Sequence, residues 1–272
     1  MISPLRRQQG KLRAALITLG FLIPGVVNAQ IAYYQMNEAS WSGTPPQVVD
    51  SSGNGHDGTA IGGANTVSSS MFGQVGSFDG DGQYVSVGGS GTISGARTIT
   101  AWIDIPSFTN YYGAPIVTGG TSGNGDFFGV SGTGSYGKGP DPDTLYVDHW
   151  GTPSYNSTVT VPLGEWAFVA LTYDGANTVN FYIDGDAAGS VYSNGLDNYA
   201  IDTYTIGGAT IGGTTTQSSL DGELSQVGIY DTELTSAQIR KLYVASSVPG
   251  PAAALPMFVG LAWRRARLRR SR

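Results

Sequence analysis

The strongest pattern in the chain lies at residues 165–185, where two strands are joined by a tight turn at residues 174–177. The first strand, residues 165–173, is apolar on both faces. Trp166, Phe168 and Ala170 fall on one face, and Ala167, Val169, Leu171 and Tyr173 on the other. Side chains alternate along a strand, so a strand apolar on both sides belongs in the middle of a layered structure. The second strand alternates cleanly, with Val179, Phe181 and Ile183 against Asn180, Tyr182 and Asp184. Asp174-Gly175 and Asp184-Gly185 are turn dipeptides.

Short β-branched and aromatic runs flank this hairpin at roughly 8–12-residue intervals. They predict strands over residues 31–36, 74–78, 83–87, 97–105, 114–118, 127–131, 144–149, 157–161, 187–192, 203–206 and 220–230. No helix-period segment interrupts the series, so the expected class is all-β, an antiparallel sandwich of two sheets. One short C-terminal helix closes it. Thr235-Ser236-Ala237-Gln238 has the form of a capping box, and Ile239, Leu242 and Tyr243 share a face before a stop near Val244.

Composition narrows the picture. The 41 glycines sit between the apolar runs, which suits many turns, and 272 residues suffice for one β-rich domain. There is no cysteine, hence no disulfide or thiolate metal site. Ten of the 14 basic residues lie before residue 14 or after residue 263, while all 20 acidic residues fall between Glu38 and Glu233. The central region thus carries four basic against 20 acidic side chains, a net charge of −16. Such a charge repels nucleic acid and anionic membrane surfaces. It suits cation binding or a neutral sugar, or serves solubility alone.

The two ends read as sorting segments. Residues 1–29 have four positive charges, an apolar stretch at 14–27 and small residues at Val27-Asn28-Ala29, the arrangement of a signal peptide cleaved before Gln30. Residues 246–272 hold a Val-Pro-Gly-Pro break, an apolar run at 252–263 and an Arg-rich end. This is a transmembrane stop-transfer arrangement. Its 12 apolar residues rise only about 18 Å as a helix, short of the roughly 30 Å hydrocarbon core. A transient signal suits them better than a permanent anchor.

The order of motifs resembles a known family. DSSGNGHDG (50–58), SFDGDGQYVSV (77–87), RTITAWIDI (97–105), the hairpin at 164–185 and LDGELSQVGIYDTELTSAQI (220–239) follow the pattern of the laminin-G-like domain in the concanavalin A-like lectin/glucanase superfamily. The resemblance implies a jelly roll of two antiparallel sheets over residues 30–245. The tail, through Val248, Pro249 and Pro251, the apolar run and the Arg cluster, resembles the bacterial PEP-CTERM sorting signal. That resemblance implies processing by signal peptidase and an exosortase-type enzyme, and delivery to the envelope or extracellular matrix of a Gram-negative bacterium. Gly250 stands where Glu is usual, and Pro256 interrupts the apolar run.

Several residues invite chemistry. Asp50, Asn54 and Asp57 lie in a Gly-rich loop that reads either as a Ca2+ site or as an Asx-turn cluster capping backbone N–H groups. The resemblance implies Ca2+ near this loop and the last long strand, but that strand has Ser225-Gln226 where an Asp-Glu pair is usual. Asp79-Gly80-Asp81 reads as a hairpin turn. Residues 107–155 are the longest loop-rich region and hold Phe127 and Phe128 as well as Tyr111, Tyr112, Tyr136, Trp150 and Tyr155, the last five of which are expected to stack on sugar rings. Trp102 and Trp166 are expected in the core. A retaining glycosidase needs two carboxyl groups about 5 Å apart, and the four Glu residues (38, 165, 223 and 233) show no paired spacing. His56 and His149 lack a nucleophile motif. The expectation is an exported, non-catalytic protein that binds polysaccharide or a surface glycan. The alternatives are a structural matrix protein without a glycan ligand and a glycan-active hydrolase or lyase.

Overall fold

The computed structural model describes residues 29–88, 95–107, 113–121, 124–132, 142–149, 154–193, 204–211 and 215–247. Its elements are β1 (Gln30–Tyr34), β2 (Gly58–Ile61), β3 (Asn65–Ser69), β4 (Gly73–Asp79), β5 (Tyr84–Val87), β6 (Arg97–Asp104), β7 (Ala114–Thr121), β8 (Asn124–Val130), β9 (Thr144–His149), β10 (Tyr155–Thr160), β11 (Ala167–Tyr173), β12 (Thr178–Ile183), β13 (Asp186–Tyr192), β14 (Tyr204–Ile206), β15 (Gly208–Ile211), β16 (Thr215–Ser219), β17 (Asp221–Tyr230) and α1 (Ser236–Ser246). An eight-stranded sheet runs β13-β12-β11-β6-β17-β4-β3, with β1 also paired to β17. A seven-stranded sheet runs β10-β9-β8-β7-β14-β5-β2, and β15 and β16 form a separate hairpin. The pairings are antiparallel, and the two sheets form the sandwich that the strand pattern predicts.

The core lies between the sheets. Ala101, Ile103, Val169, Leu171, Leu224 and Ile229 from one sheet meet Val85, Val117, Phe128, Leu145, Val147 and Ile206 from the other. Each fully buried large side chain contributes about 1.5–3 kcal/mol. A second cluster covers the outer face of the eight-stranded sheet: Trp102, Phe168 and Tyr182 pack with Ile239 of α1. This explains why β11 is apolar on both faces, since one faces the other sheet and the other faces the helix. Trp102 is buried in that cluster, and Trp166 packs half-buried against it.

Local signals are obeyed in detail. The Asp174 carboxylate accepts from the backbone N–H of Ala176, Asn177 and Thr178 at 2.8, 2.8 and 2.9 Å, closing the central hairpin. Thr235 caps α1, and both bonds of its capping box with Gln238 form. The helix runs past Val244 to Ser246, whose Oγ accepts from Trp102 Nε1 at 2.8 Å. The elements not predicted, β2, β3, β15 and β16, are short and polar or Gly-rich. Their strand conformation comes from partners across the sheet rather than from their own alternation.

Candidate ligand face

On the seven-stranded sheet, Val147, Phe128, Val117, Ile206 and Val85 point into the core, so their neighbours face away from it. Register aligns those neighbours in one row. Asp148 lies opposite Phe127, Phe127 opposite Thr118, Thr118 opposite Thr205, Thr205 opposite Ser86, and Ser86 opposite Thr59. Adjacent strands lie about 4.8 Å apart, so a row across six strands extends roughly 24 Å. A second row places Asn156 opposite Tyr146 and Tyr146 opposite Gly129. The Tyr146 ring lies over Gly129, where an added Cβ would sit 3.0 Å from Cε1.

These rows mix aromatic, carboxylate and hydroxyl groups. Phe127 is half-buried and Tyr146 is buried. Burial first, and then the nearby Asp148 charge, pushes the Tyr146 phenol well above its ordinary range. Thr118 is only 4% exposed, and its Oγ1 has no hydrogen-bond partner. Burying a hydroxyl without a partner costs about 1–3 kcal/mol, so a native structure seldom leaves one unused. Thr205 Oγ1 donates to Gly208 O, and Ser218 Oγ donates to Gly113 O at 2.7 Å, fastening the β15–β16 hairpin against β7 and β14, where Thr118 and Thr205 are buried. Of the central basic residues, Arg97 pairs with Asp126 inside the sandwich and Arg240 pairs with Asp186. Lys241 lies on α1. Among the described residues, no cation stands in the row.

Tyr155 is the one expected stacking residue within the described residues. It lies opposite Val147 and packs half-buried against the core between the sheets, on the other side from the row. Tyr111, Tyr112, Tyr136 and Trp150 lie outside the described residues, as do Val248, Pro249 and Pro251. Apart from Phe127, sequence reasoning missed the members of the row. Thr, Ser and Asp at alternate positions look like any solvent face, and only register joins them.

The Gly-rich loop is a hydrogen-bonded hub. Asp50 is buried; its Oδ1 accepts from Tyr33 N at 3.0 Å and Ser52 N at 2.9 Å. Its Oδ2 accepts from Ser52 Oγ at 2.9 Å and His56 N at 3.0 Å. Desolvation opposes ionisation, but the donors from Tyr33, His56 and Ser52 outweigh it and hold this carboxyl below its ordinary value. Asp57 Oδ1 accepts from Asp50 N at 2.8 Å, and Asn54 Nδ2 donates to the carbonyls of Gln30 and Ile31 at 2.9 Å each. A carboxylate offers about four lone-pair sites, and those of Asp50 are all taken. The donor set does not fit Ca2+. Among the described residues, no three His, Asp or Glu side chains gather closely enough to hold a metal ion between them.

Two carboxylates also face each other on the eight-stranded sheet. Asp104 and Glu223 are opposite residues on β6 and β17. Burial raises both above the ordinary carboxyl range, assisted at Asp104 by the charge of Glu165 and at Glu223 by that of Asp104.

Comparison with known proteins gives this geometry a family. The family model described as the concanavalin A-like lectin/glucanases superfamily, Laminin_G_3, matches residues 79–240, more than half of the chain. No curated protein matches the sequence. Among solved structures, domain 4 of AbnA, a GH43 extracellular arabinanase from Geobacillus stearothermophilus in complex with arabinotriose, superposes with a TM-score of 0.59 at 19% identity, over 79% of this chain and 98% of that one. The botulinum neurotoxin serotype D binding domain gives 0.58 at 13% identity, over 80% of this chain and 52% of that one. This chain therefore spans about half of the toxin domain. At these identities the likeness is one of fold.

Proposed function

The chain belongs to the concanavalin A-like lectin/glucanases superfamily, and on that premise we propose that it is an exported, non-catalytic adhesion protein that binds carbohydrate on the outer face of its seven-stranded sheet. The observation that carries this reading is the outward-facing pair Phe127 and Asp148, directly opposite each other on β8 and β9 and both partly accessible. Phe127 offers an apolar ring to a sugar face. Asp148, half-buried beside it, accepts hydrogen bonds from sugar hydroxyls. With a central charge of −16 and no cation in the row, the ligand is a neutral glycan rather than an anionic one.

Export rests on residues 1–29, and surface delivery on the PEP-CTERM-like tail, with signal peptidase and an exosortase-type enzyme as processing partners. The tail follows α1, which covers the opposite side of the sandwich. Among the described residues, no helix is long and apolar enough to cross a membrane.

The test is a glycan array and an exopolysaccharide pulldown with the wild type and a Phe127→Ala variant. Saturable binding of a neutral glycan, weakened at least tenfold in the variant, is expected. Binding that Phe127→Ala leaves intact moves the site elsewhere. No binding to any glycan refutes this reading and favours the alternative of a structural matrix protein. Hydrolysis is a second reading, favoured by the facing Asp104 and Glu223. Opposed strand residues hold their Cβ atoms about 5 Å apart, near the carboxyl separation of retaining glycosidases. Reducing-sugar release by the wild type, absent in Glu223→Gln, would establish it.

A further inference from the structure

We infer that the loop at residues 50–57 and the β17 bulge at Ser225-Gln226 form a metal-free latch, and that this domain folds without Ca2+ where the resemblance implies a cation. A Ca2+ site gathers six to eight oxygens with lone pairs free for the ion. Here donors fill that role. Two backbone N–H groups point at Asp50 Oδ1, and a hydroxyl and a third N–H point at Oδ2. The nearby carbonyls are engaged as well. Gln30 O and Ile31 O accept from Asn54 Nδ2, and His56 O accepts from Tyr34 Oη at 2.6 Å.

The other half of the latch is on β17. Gln226 has a φ of 52°, a left-handed conformation that interrupts the pairing of β17 with β6. Ser225 Oγ donates to Gln35 O at 3.3 Å. The Gln226 side chain accepts from Tyr33 Oη at 3.1 Å through Oε1 and donates to Ser246 O at 3.4 Å through Nε2. An acidic pair at 225–226 could not donate to either carbonyl. The neutral residues can, and they tie β1, β17 and the end of α1 together. Tyr33 joins the halves, its backbone N–H bonded to Asp50 and its hydroxyl to Gln226. The cross-linking that a cation would supply is made by hydrogen bonds.

Two measurements test this on the purified full-length chain. The first compares thermal unfolding in millimolar Ca2+ with unfolding in EDTA, for the wild type and for Asp50→Asn. The second titrates Ca2+ into the wild type calorimetrically, which needs no variant to fold. The latch predicts the same Tm in both buffers and no saturable heat at micromolar to millimolar Ca2+. It also predicts that Asp50→Asn, which turns two acceptor sites into donors, lowers Tm equally with and without Ca2+. A site filled at a hundred times its Kd would raise Tm by roughly 5–10 °C in a domain of this size. Such a rise, with saturable heat and loss of both in Asp50→Asn, would overturn the inference. Neither measurement involves a glycan, so its failure leaves the ligand-face reading standing.

Discussion

Arg97 and Asp126 join the two sheets from inside the sandwich. They are 3% and 7% exposed, lie on β6 and β8, and form an ion pair. The Arg97 guanidinium also sits 4.7 Å from the centroid of the Tyr173 ring and donates to Gly95 O. Arg97→Met keeps much of the apolar stem and removes the charge. Breaking a buried ion pair by deleting one partner costs about 3–5 kcal/mol, because the remaining charge keeps its desolvation penalty. Loss of a desolvated cation–π contact, worth about 2 kcal/mol, favours the upper end. At roughly 2–4 °C per kcal/mol, the variant should melt about 6–20 °C below the wild type. Urea unfolding followed by Trp fluorescence gives the free energy directly. The double variant Arg97→Met/Asp126→Leu separates charge from packing. Replacing both partners with apolar residues should return most of the loss, and such replacements often gain about 1–4 kcal/mol. Asp126 adjoins Phe127, so the single variant should also weaken glycan binding, and the double variant should restore it. A single variant within about 1 kcal/mol of the wild type, or a double variant as unstable as the single, would refute the reasoning.

Three further outcomes follow from the geometry. Asp104 and Glu223 bind protons more tightly in the folded state than the roughly 4 of an unfolded carboxyl, so stability should fall as pH rises from about 4 through their raised values. Asp104→Asn should stabilise by up to about 1 kcal/mol at pH 7 and make no difference below pH 3, read by thermal melts across pH. Gly207 has a φ of 77°, and an added Cβ would meet the Phe78 ring at 2.6 Å. Gly207→Ala should therefore cost about 2–4 kcal/mol in chemical denaturation, combining strain with overpacking. Thr235→Ala removes the cap of α1 and should cost about 1 kcal/mol, most visible as faster amide exchange at residues 236–239.

Much of the fold is determined by the sequence alone, because its signals are local. Alternation along β6, β11 and β12 places each side chain on a face, and Asp174 and Thr235 fix a turn and a helix start through bonds spanning only a few residues. Apolarity on both faces of β11 even announces that something covers the outer side of its sheet. The sequence cannot say what, because Ile239 reaches Phe168 only after about 70 residues of chain return to it. The candidate sites are tertiary for the same reason. Asp148, Phe127, Thr118, Thr205 and Ser86 belong to five strands, and no spacing in the chain relates them. A shift of one residue in any pairing would turn that strand's member of the row into the core. Asp104 and Glu223 likewise meet only through the register of β6 with β17. Asp50 shows the limit at a single residue. Its loop is recognisable as a turn rich in oxygen ligands, but whether those oxygens are free for a cation depends on donors from Tyr33 and His56, which the folded backbone aims at them.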